Sequence, residues 1–199
     1  QVRTGAPFQT VPRRCLKVGN QFGFVFGTGI LANFLGEYYR TPGYGPGRAL
    51  WLLARIFVSA LTSGPLADRV FKPRSDRVIV DGQVLPFAAL TAVSAATVRE
   101  VGLRFKLNHR ADDDPDRFAV LAIHGSARTL IPELFSVWMG RGISSARAFS
   151  ALASDLRIET VPAGGDCPYT VDGDLYRLHE PLHVAIGPRV DFIDPRAKG

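Results

Sequence analysis

Two carboxylates separated by a single glycine, Asp172-Gly173-Asp174, are the residues of this chain best suited by type and spacing to do chemistry. They lie between the apolar β formers Tyr169-Thr170-Val171 and Leu175-Tyr176. The Asp-Gly step predicts a tight hairpin turn, because glycine accepts positive φ and aspartate bonds readily to backbone. Asp174 then stands just past the turn, where a carboxylate can take a proton from a hydroxyl or help hold a metal-bound phosphate. Asp172 is expected to stabilise the turn through a local side-chain to backbone bond. A second segment, Val78-Ile79-Val80-Asp81-Gly82-Gln83, repeats the pattern but ends on Gln83, with no carboxylate to offer.

The other reactive residue types form no comparable arrangement. Cys15 and Cys167 are far apart and have no CxxC or histidine partner pattern, so neither a zinc site nor a disulfide framework is indicated. A reducing cytoplasm fits that usage. His109 lies in a polar stretch and His124 follows a strand, while His179 and His183 are split by Pro181, which argues against a helical metal pair. Asp112-Asp113-Asp114-Pro115-Asp116 lacks the glycine and distant glutamate of a calcium loop and reads as a solvated connection. Gly164-Gly165-Asp166 precedes Cys167-Pro168 and reads as a surface turn. No metal-ligating residue is expected.

Charge and length bound the function classes. The 199 residues carry 24 Lys and Arg against 18 acidic residues, a net charge of +6, and the 46% hydrophobic content suffices for a real core. Arg13, Arg14 and Lys17 form one basic group, and Arg69, Lys72, Arg74 and Arg77 another. Neither carries interleaved aromatics, so a solvated basic surface, or contact with phosphate or anionic lipid, is expected rather than nucleic-acid binding. The apolar runs from Ala49 to Leu61 are interrupted by Arg55 and fall short of the ~20 residues that cross a bilayer. Starting at Gln1 without an apolar secretory segment, the sequence reads as a fragment or processed product.

The elements that must position Asp174 follow from periodicity and breakers. Leu16 to Val25 begins as a strand and leads into the glycine-rich Phe26-Gly27-Thr28-Gly29. Helices are expected over 30–40 and 48–61, closed by Thr41-Pro42-Gly43 and Ser63-Gly64-Pro65. Arg48 and Arg55 share a face of the second helix, whose remainder is apolar and is expected to pack, with partial exposure to a membrane or acyl chain as the alternative. Strands are expected on either side of Asp81-Gly82, over 90–98, 118–123 and 156–161, around Asp172-Gly173, and over 182–186 turning at Gly187-Pro188 into 190–193. Residues 130–139 and 146–152 read as helical. Few helices among many short strands predict a mainly β fold, a two-layer antiparallel β-sandwich with a few peripheral helices.

In order and spacing, the Asp-Gly-Gln hairpin, Phe118-Ala119-Val120-Leu121-Ala122-Ile123-His124-Gly125, Leu156 to Val161, and Val171-Asp172-Gly173-Asp174 resemble the C-terminal domain of the diacylglycerol kinase and sphingosine kinase superfamily. Phe22-Gly23-Phe24 is similar to the glycine-aromatic segment that opens that domain. The resemblance implies domain limits of 14–195, with 1–13 a lead-in or linker remnant and 196–199 a tail. It implies ATP as phosphate donor with Mg²⁺, a lipid alcohol as substrate, and an α/β nucleotide-binding domain upstream. Asp174 matches the acidic residue proposed as catalytic base at the end of an Asp-Gly-Glu motif, and Asp172 and Gly173 match its first two residues, which are implied on the cofactor-binding side.

The resemblance departs at defined places. Aspartate replaces glutamate at 174, the Gly-Gly-Asp-Gly-Thr phosphate loop is absent, and the metal-binding segment expected after residue 123 is replaced by Ser126 to Glu133. The expectation is therefore a lipid kinase when joined to an upstream nucleotide-binding domain and an inactive fragment alone, with no ATP or Mg²⁺ held tightly by these residues. The alternative is a non-catalytic lipid- or protein-binding domain derived from such a kinase. The expected partners are a lipid alcohol or the inner membrane surface, the upstream domain, or a second copy as a homodimer, with no nucleic acid.

Overall fold

Apolar residues at alternate positions, broken by glycine and proline every few residues, drive this chain into short paired strands that can bury one face or both. A computed structural model describes residues 10–40, 43, 45–100, 107–139, 143–160, 167–178 and 181–193. The strands in chain order are β1 (Thr10–Val18), β2 (Gln21–Gly23), β3 (Val25–Thr28), β4 (Arg77–Val80), β5 (Gln83–Val84), β6 (Ala92–Ala96), β7 (Phe118–Ile123), β8 (Ala148–Ala153), β9 (Asp155–Glu159), β10 (Cys167–Val171), β11 (Asp174–Leu178) and β12 (Leu182–Ile193). The helices are α1 (Ile30–Arg40), α2 (Pro46–Leu61), α3 (Pro65–Val70) and α4 (Ala127–Trp138).

Two six-stranded antiparallel sheets form the predicted sandwich. One runs β2-β1-β12-β9-β4-β5 and the other β11-β10-β3-β6-β7-β8. Read backward, the first order parallels the second in the places of its hairpin, its crossing strand and its departing edge strand. A continuous segment crosses between sheets at Phe24, from edge strand β2 to β3, and another at Ser154, from edge strand β8 to β9. An Asp-Gly hairpin lies beside each crossing strand, β10-β11 beside β3 and β4-β5 beside β9.

The core between the sheets holds Leu16, Phe26, Phe118, Val120, Leu156 and Val184. Strand β7 is apolar throughout because both faces are covered. Phe118, Val120 and Ala122 face the inter-sheet core, while Leu121 and Ile123 join Leu52, Ile56, Val70 and Leu130 beneath the helices. The helices therefore lie on the outer face of the second sheet, on one side of the sandwich as expected. Helix α4 begins ahead of the predicted span.

Several expectations are corrected. Residues 16–25 form parts of three strands, because Gly19, at φ 57, turns the chain with Asn20 into a β1-β2 hairpin. Gly187-Pro188 does not turn the chain: β12 passes straight through, and the pairing with β1 slips there between Arg14 and Leu16. Two residues of β12 face the single Cys15, so Pro188, which has no N–H to donate, sits where the ladder is already broken. A Cβ on Gly187 would lie 2.7 Å from Cys15 Sγ. Residues 148–153 form β8 rather than a helix, paired with β7 along its whole length. Alanine and leucine there favour helix weakly, and the exposed edge of β7 overrides them. Pro65 does more than stop α2; it opens α3 at its first position, where its missing N–H is harmless. The reading of residues 164–166 lies outside the described residues.

Gly23 is where the Asp172 hairpin presses on the strand crossing. A Cβ there would overlap Val171 Cγ1 and lie 2.7 Å from Asp172 Oδ2. By contrast Gly36, inside α1, has open space around it. Gly23→Ala is expected to destabilise the fold by about 1–3 kcal/mol through overpacking. Gly36→Ala should stabilise it by about 0.5–1 kcal/mol through helix propensity. Urea midpoints of both variants against the parent check the two signs together.

Candidate functional site

At each crossing between sheets the chain bends, and amides of the bend lose their ladder partners. An aspartate carboxylate supplies them. Asp172, at φ 50, and Gly173, at φ 97, form a two-residue turn of left-handed residues that closes β10 onto β11. The Asp172 carboxylate is not used locally as expected: Oδ1 accepts the amides of Phe24 at 2.9 Å and Val25 at 2.8 Å, and Oδ2 lies 3.1 Å from the Phe24 nitrogen. The Asp172 amide donates to the Val25 carbonyl at 2.9 Å. The bond crosses the fold rather than capping its own turn.

The first Asp-Gly turn reproduces this staple atom for atom at the opposite corner. Asp81 has φ 46 and Gly82 φ 81. Asp81 Oδ1 accepts the amides of Ser154 and Asp155, each at 2.9 Å, and its own amide donates to the Asp155 carbonyl at 2.9 Å. Arg117 adds a cation, with Nη2 3.0 Å from Oδ2. Burial acts to raise the Asp81 pKa, but the Ser154 and Asp155 amides and the Arg117 guanidinium outweigh it and hold the carboxyl below its ordinary value.

The corners differ at the residue after the glycine. Gln83 follows Gly82, whereas Asp174 follows Gly173. Asp174 is exposed, pairs through its backbone with Val171, and makes no hydrogen bond or ion pair from its carboxylate among the described residues. A second anchor holds its turn: Tyr39, in the last turn of α1, donates from its hydroxyl to the Gly173 carbonyl at 2.9 Å. Asp172 is thus committed to one side of the turn and Gly173 to the other, and Asp174 is left facing solvent. Sequence reasoning missed Tyr39, whose only signal is its place at the end of an amphipathic helix. It also missed the amides of Phe24 and Val25, which carry no side-chain signal at all.

The turn lies close to where the described chain begins and ends. Thr10 pairs with Ile193 and Val11 with Phe192, and the Phe192 ring meets Phe24 edge-on, with centroids 5.1 Å apart. Asp172 grips the amide of that same Phe24. An open groove of about 440 Å³ is elsewhere, lined by residues including Asp68, Lys72, Pro73, His124 and Ser126, and Asp174 is not among them.

The remaining candidates are accounted for by neighbours. Asp112 pairs with Arg13 at 3.0 Å and Arg99 at 2.8 Å, and Asp116 pairs with Arg14 at 3.0 Å, so the acidic loop balances the two arginines of the first basic group. Arg69, Arg74 and Arg77 pair with Glu37, Asp76 and Glu159. His183 meets Asp155, and the His124 ring lies tilted against Phe87, with centroids 4.9 Å apart. Both cysteines are buried and unbridged, and burial pushes the Cys15 thiol up, away from reactivity. Among the described residues, no three His, Cys, Asp or Glu converge as a metal site.

No family model matches this chain, and no curated protein matches it significantly in sequence. Solved structures do match. A crystal structure of a diacylglycerol kinase from Bacillus anthracis str. Sterne superposes with a TM-score of 0.54 at 15% identity, over 89% of this chain and 51% of that one. The fold resembles that of the diacylglycerol kinases. A second structure of that kind from the same organism gives a TM-score of 0.61 at 15% identity, over 89% of this chain and 54% of its own. The chain thus spans about half the length of the structures it matches.

If Asp172 is a staple, its loss must be felt in stability. Asp172→Ala should cost about 2 kcal/mol, since two amides lose a charged acceptor, while Asp174→Ala should stay within about 0.5 kcal/mol. Asp81→Asn keeps an αL-tolerant residue but loses the charge, and should cost about 1 kcal/mol at neutral pH after allowance for partial exposure. A carboxyl depressed in the folded state contributes stability above its unfolded pKa and loses it as pH falls through the folded value. The gap between wild type and Asp81→Asn should therefore be constant from pH 7 to about 5 and close below about pH 4. Melting temperatures across that range check it.

Proposed function

We propose that this chain is the lipid-facing domain of an ATP-dependent lipid kinase, in which Asp174 accepts the proton of a lipid hydroxyl as phosphate is transferred to it. The observation that carries this reading is the pairing of a doubly anchored turn with a carboxylate that has no partner among the described residues. Asp172 and Tyr39 fix the turn from which Asp174 projects, and the Phe24 that Asp172 holds meets Phe192 near the end of β12. The likeness in fold to diacylglycerol kinases supports it. A primary hydroxyl is a poor nucleophile until it is oriented and relieved of its proton, and a carboxylate on rigid backbone does both. An aspartate reaches one methylene less far than glutamate, so this site asks its substrate to come correspondingly closer.

ATP and Mg²⁺ are implied by the likeness, and the described residues do not fit them unaided. No acidic cluster converges, and the Asp172 carboxylate is occupied by two amides. In this reading Asp172 and Gly173 serve the nucleotide side of the cleft by holding Asp174 at its edge. The phosphate-cradling part is assigned to the length of the related proteins that this chain does not span. Because β1 and β12 run side by side to Thr10 and Ile193, a domain attached there would stand next to the Asp174 turn and supply the missing wall.

In the full-length protein, Asp174→Ala should lower phosphorylation of a lipid alcohol by at least ~100-fold with an unchanged melting temperature. Asp174→Glu should retain measurable turnover, since it keeps the charge. The assay is transfer of labelled phosphate to a panel of diacylglycerol, sphingoid base and related lipid alcohols. Wild-type turnover in folded Asp174→Ala would remove it as the base. Failure of the wild type on the whole panel would favour the non-catalytic binding domain.

A further inference from the structure

Helix α2 is apolar on two sides. Leu52, Ile56 and Ala60 are buried against the cluster that includes Val70, Leu121 and Leu130. The opposite face is not covered: Leu50, Trp51, Phe57, Val58 and Leu61 are each 48–64% exposed. Leu50, Phe57, Val58 and Leu61 follow one another at helical spacing, so they form one continuous stripe along the outer side. An exposed stripe of that size is unusual on a soluble surface and marks a contact.

Charge identifies what it contacts. No acidic residue occurs between Tyr38 and Ala67, while Arg48 and Arg55 lie on α2 itself. Arg55 is exposed and lies over the Trp51 ring, 4.7 Å from its centroid. Arg128, exposed at the start of α4, donates to Ser63 just past the end of α2 and sets a second cation at the other end of the stripe. The acidic side chain nearest in sequence, Asp68, lies on the groove that also holds Lys72. Trp51 and a stripe of apolar side chains flanked by Arg55 and Arg128 form a surface suited to the boundary between acyl chains and anionic headgroups. Sixteen residues with an interrupting arginine make α2 too short to span a bilayer, and among the described residues no helix is long and apolar enough to do so. Helix α2 packs on α3 and α4 over the outer face of the second sheet, which leaves the stripe pointing away from the sandwich.

We propose that the outer face of α2 docks on an anionic lipid bilayer, lying flat with Leu50, Phe57, Val58 and Leu61 in the acyl boundary and Arg55 and Arg128 at the headgroups. The inference rests on the lipid-kinase reading for its purpose. The last turn of α1 carries Tyr38, whose carbonyl accepts from Arg48 of α2, and Tyr39, which is bonded to Gly173, so docking would bring the Asp174 turn toward the surface where lipid hydroxyls lie.

The test is co-sedimentation of the protein with vesicles of phosphatidylcholine and phosphatidylglycerol, and with phosphatidylcholine alone, neither containing a lipid alcohol. Binding is expected to the anionic vesicles, to weaken as salt is raised, and to shift Trp51 emission to the blue. Phe57→Ser with Leu61→Ser should reduce partitioning on the order of 100-fold, and Arg55→Glu on the order of 10-fold, with melting temperatures unchanged because these side chains already face solvent. Asp174→Ala should bind as well as wild type, which separates failure of docking from failure of the kinase reading. Vesicle binding that survives the Phe57 and Leu61 changes would overturn the proposal. So would concentration-dependent dimerisation abolished by the same changes, which would assign the stripe to a second copy of the chain.

Discussion

A strand that leaves one sheet for the other must turn its backbone away from both ladders, and its amides then need acceptors that no strand can supply. In this fold the acceptors are the carboxylates of Asp81 and Asp172, each taking two consecutive amides at a crossing. A charged acceptor shared between two amides is worth more than a neutral one, and leaving such donors unpaired at a packed corner costs the desolvation of each. The two sheets are bridged in this way at two corners, each by continuous chain and a carboxylate. The sheets cannot slide past one another without breaking these bonds, and the hairpins that carry the aspartates are fixed by the same contacts.

The functional reading grows from the one place where the symmetry fails. Both corners have the turn, the left-handed aspartate and the two amides. Only one continues into a carboxylate that has no ion pair among the described residues, and among those residues only that one carries a further anchor from a helix, Tyr39. Asp81 is balanced by Arg117, whereas Asp174 faces the surface. Stability and chemistry are therefore divided between neighbouring residues of one turn. Asp172 holds the corner, and the rigidity it creates is what makes Asp174 useful as a base, since a displacement of about 1 Å can cost on the order of 100-fold in rate.

Much of this was legible in the sequence because its causes are local. Asp-Gly between β formers demands a left-handed pair, and both hairpins are where that rule puts them. The sandwich and the peripheral helices followed from period and from breakers. The destination of the Asp172 carboxylate was not legible, because its partners are backbone amides 148 and 147 residues away. Helical expectation failed at residues 148–153, where an unpaired edge of β7 outweighed weak propensity. Gly187-Pro188 looked like a turn because a bulge opposite Cys15 is invisible without its partner strand. Pro65 looked like a stop because a helix end and the next helix start use the same residue.

Backbone amide exchange at the two crossings tests the staple most directly. The account predicts that Phe24 and Val25 amides are protected in the wild type and that Asp172→Ala releases them selectively, leaving Ser154 and Asp155 protected by Asp81. Unchanged protection of Phe24 and Val25 in that variant would contradict it, since the corner would then be held by something other than the carboxylate.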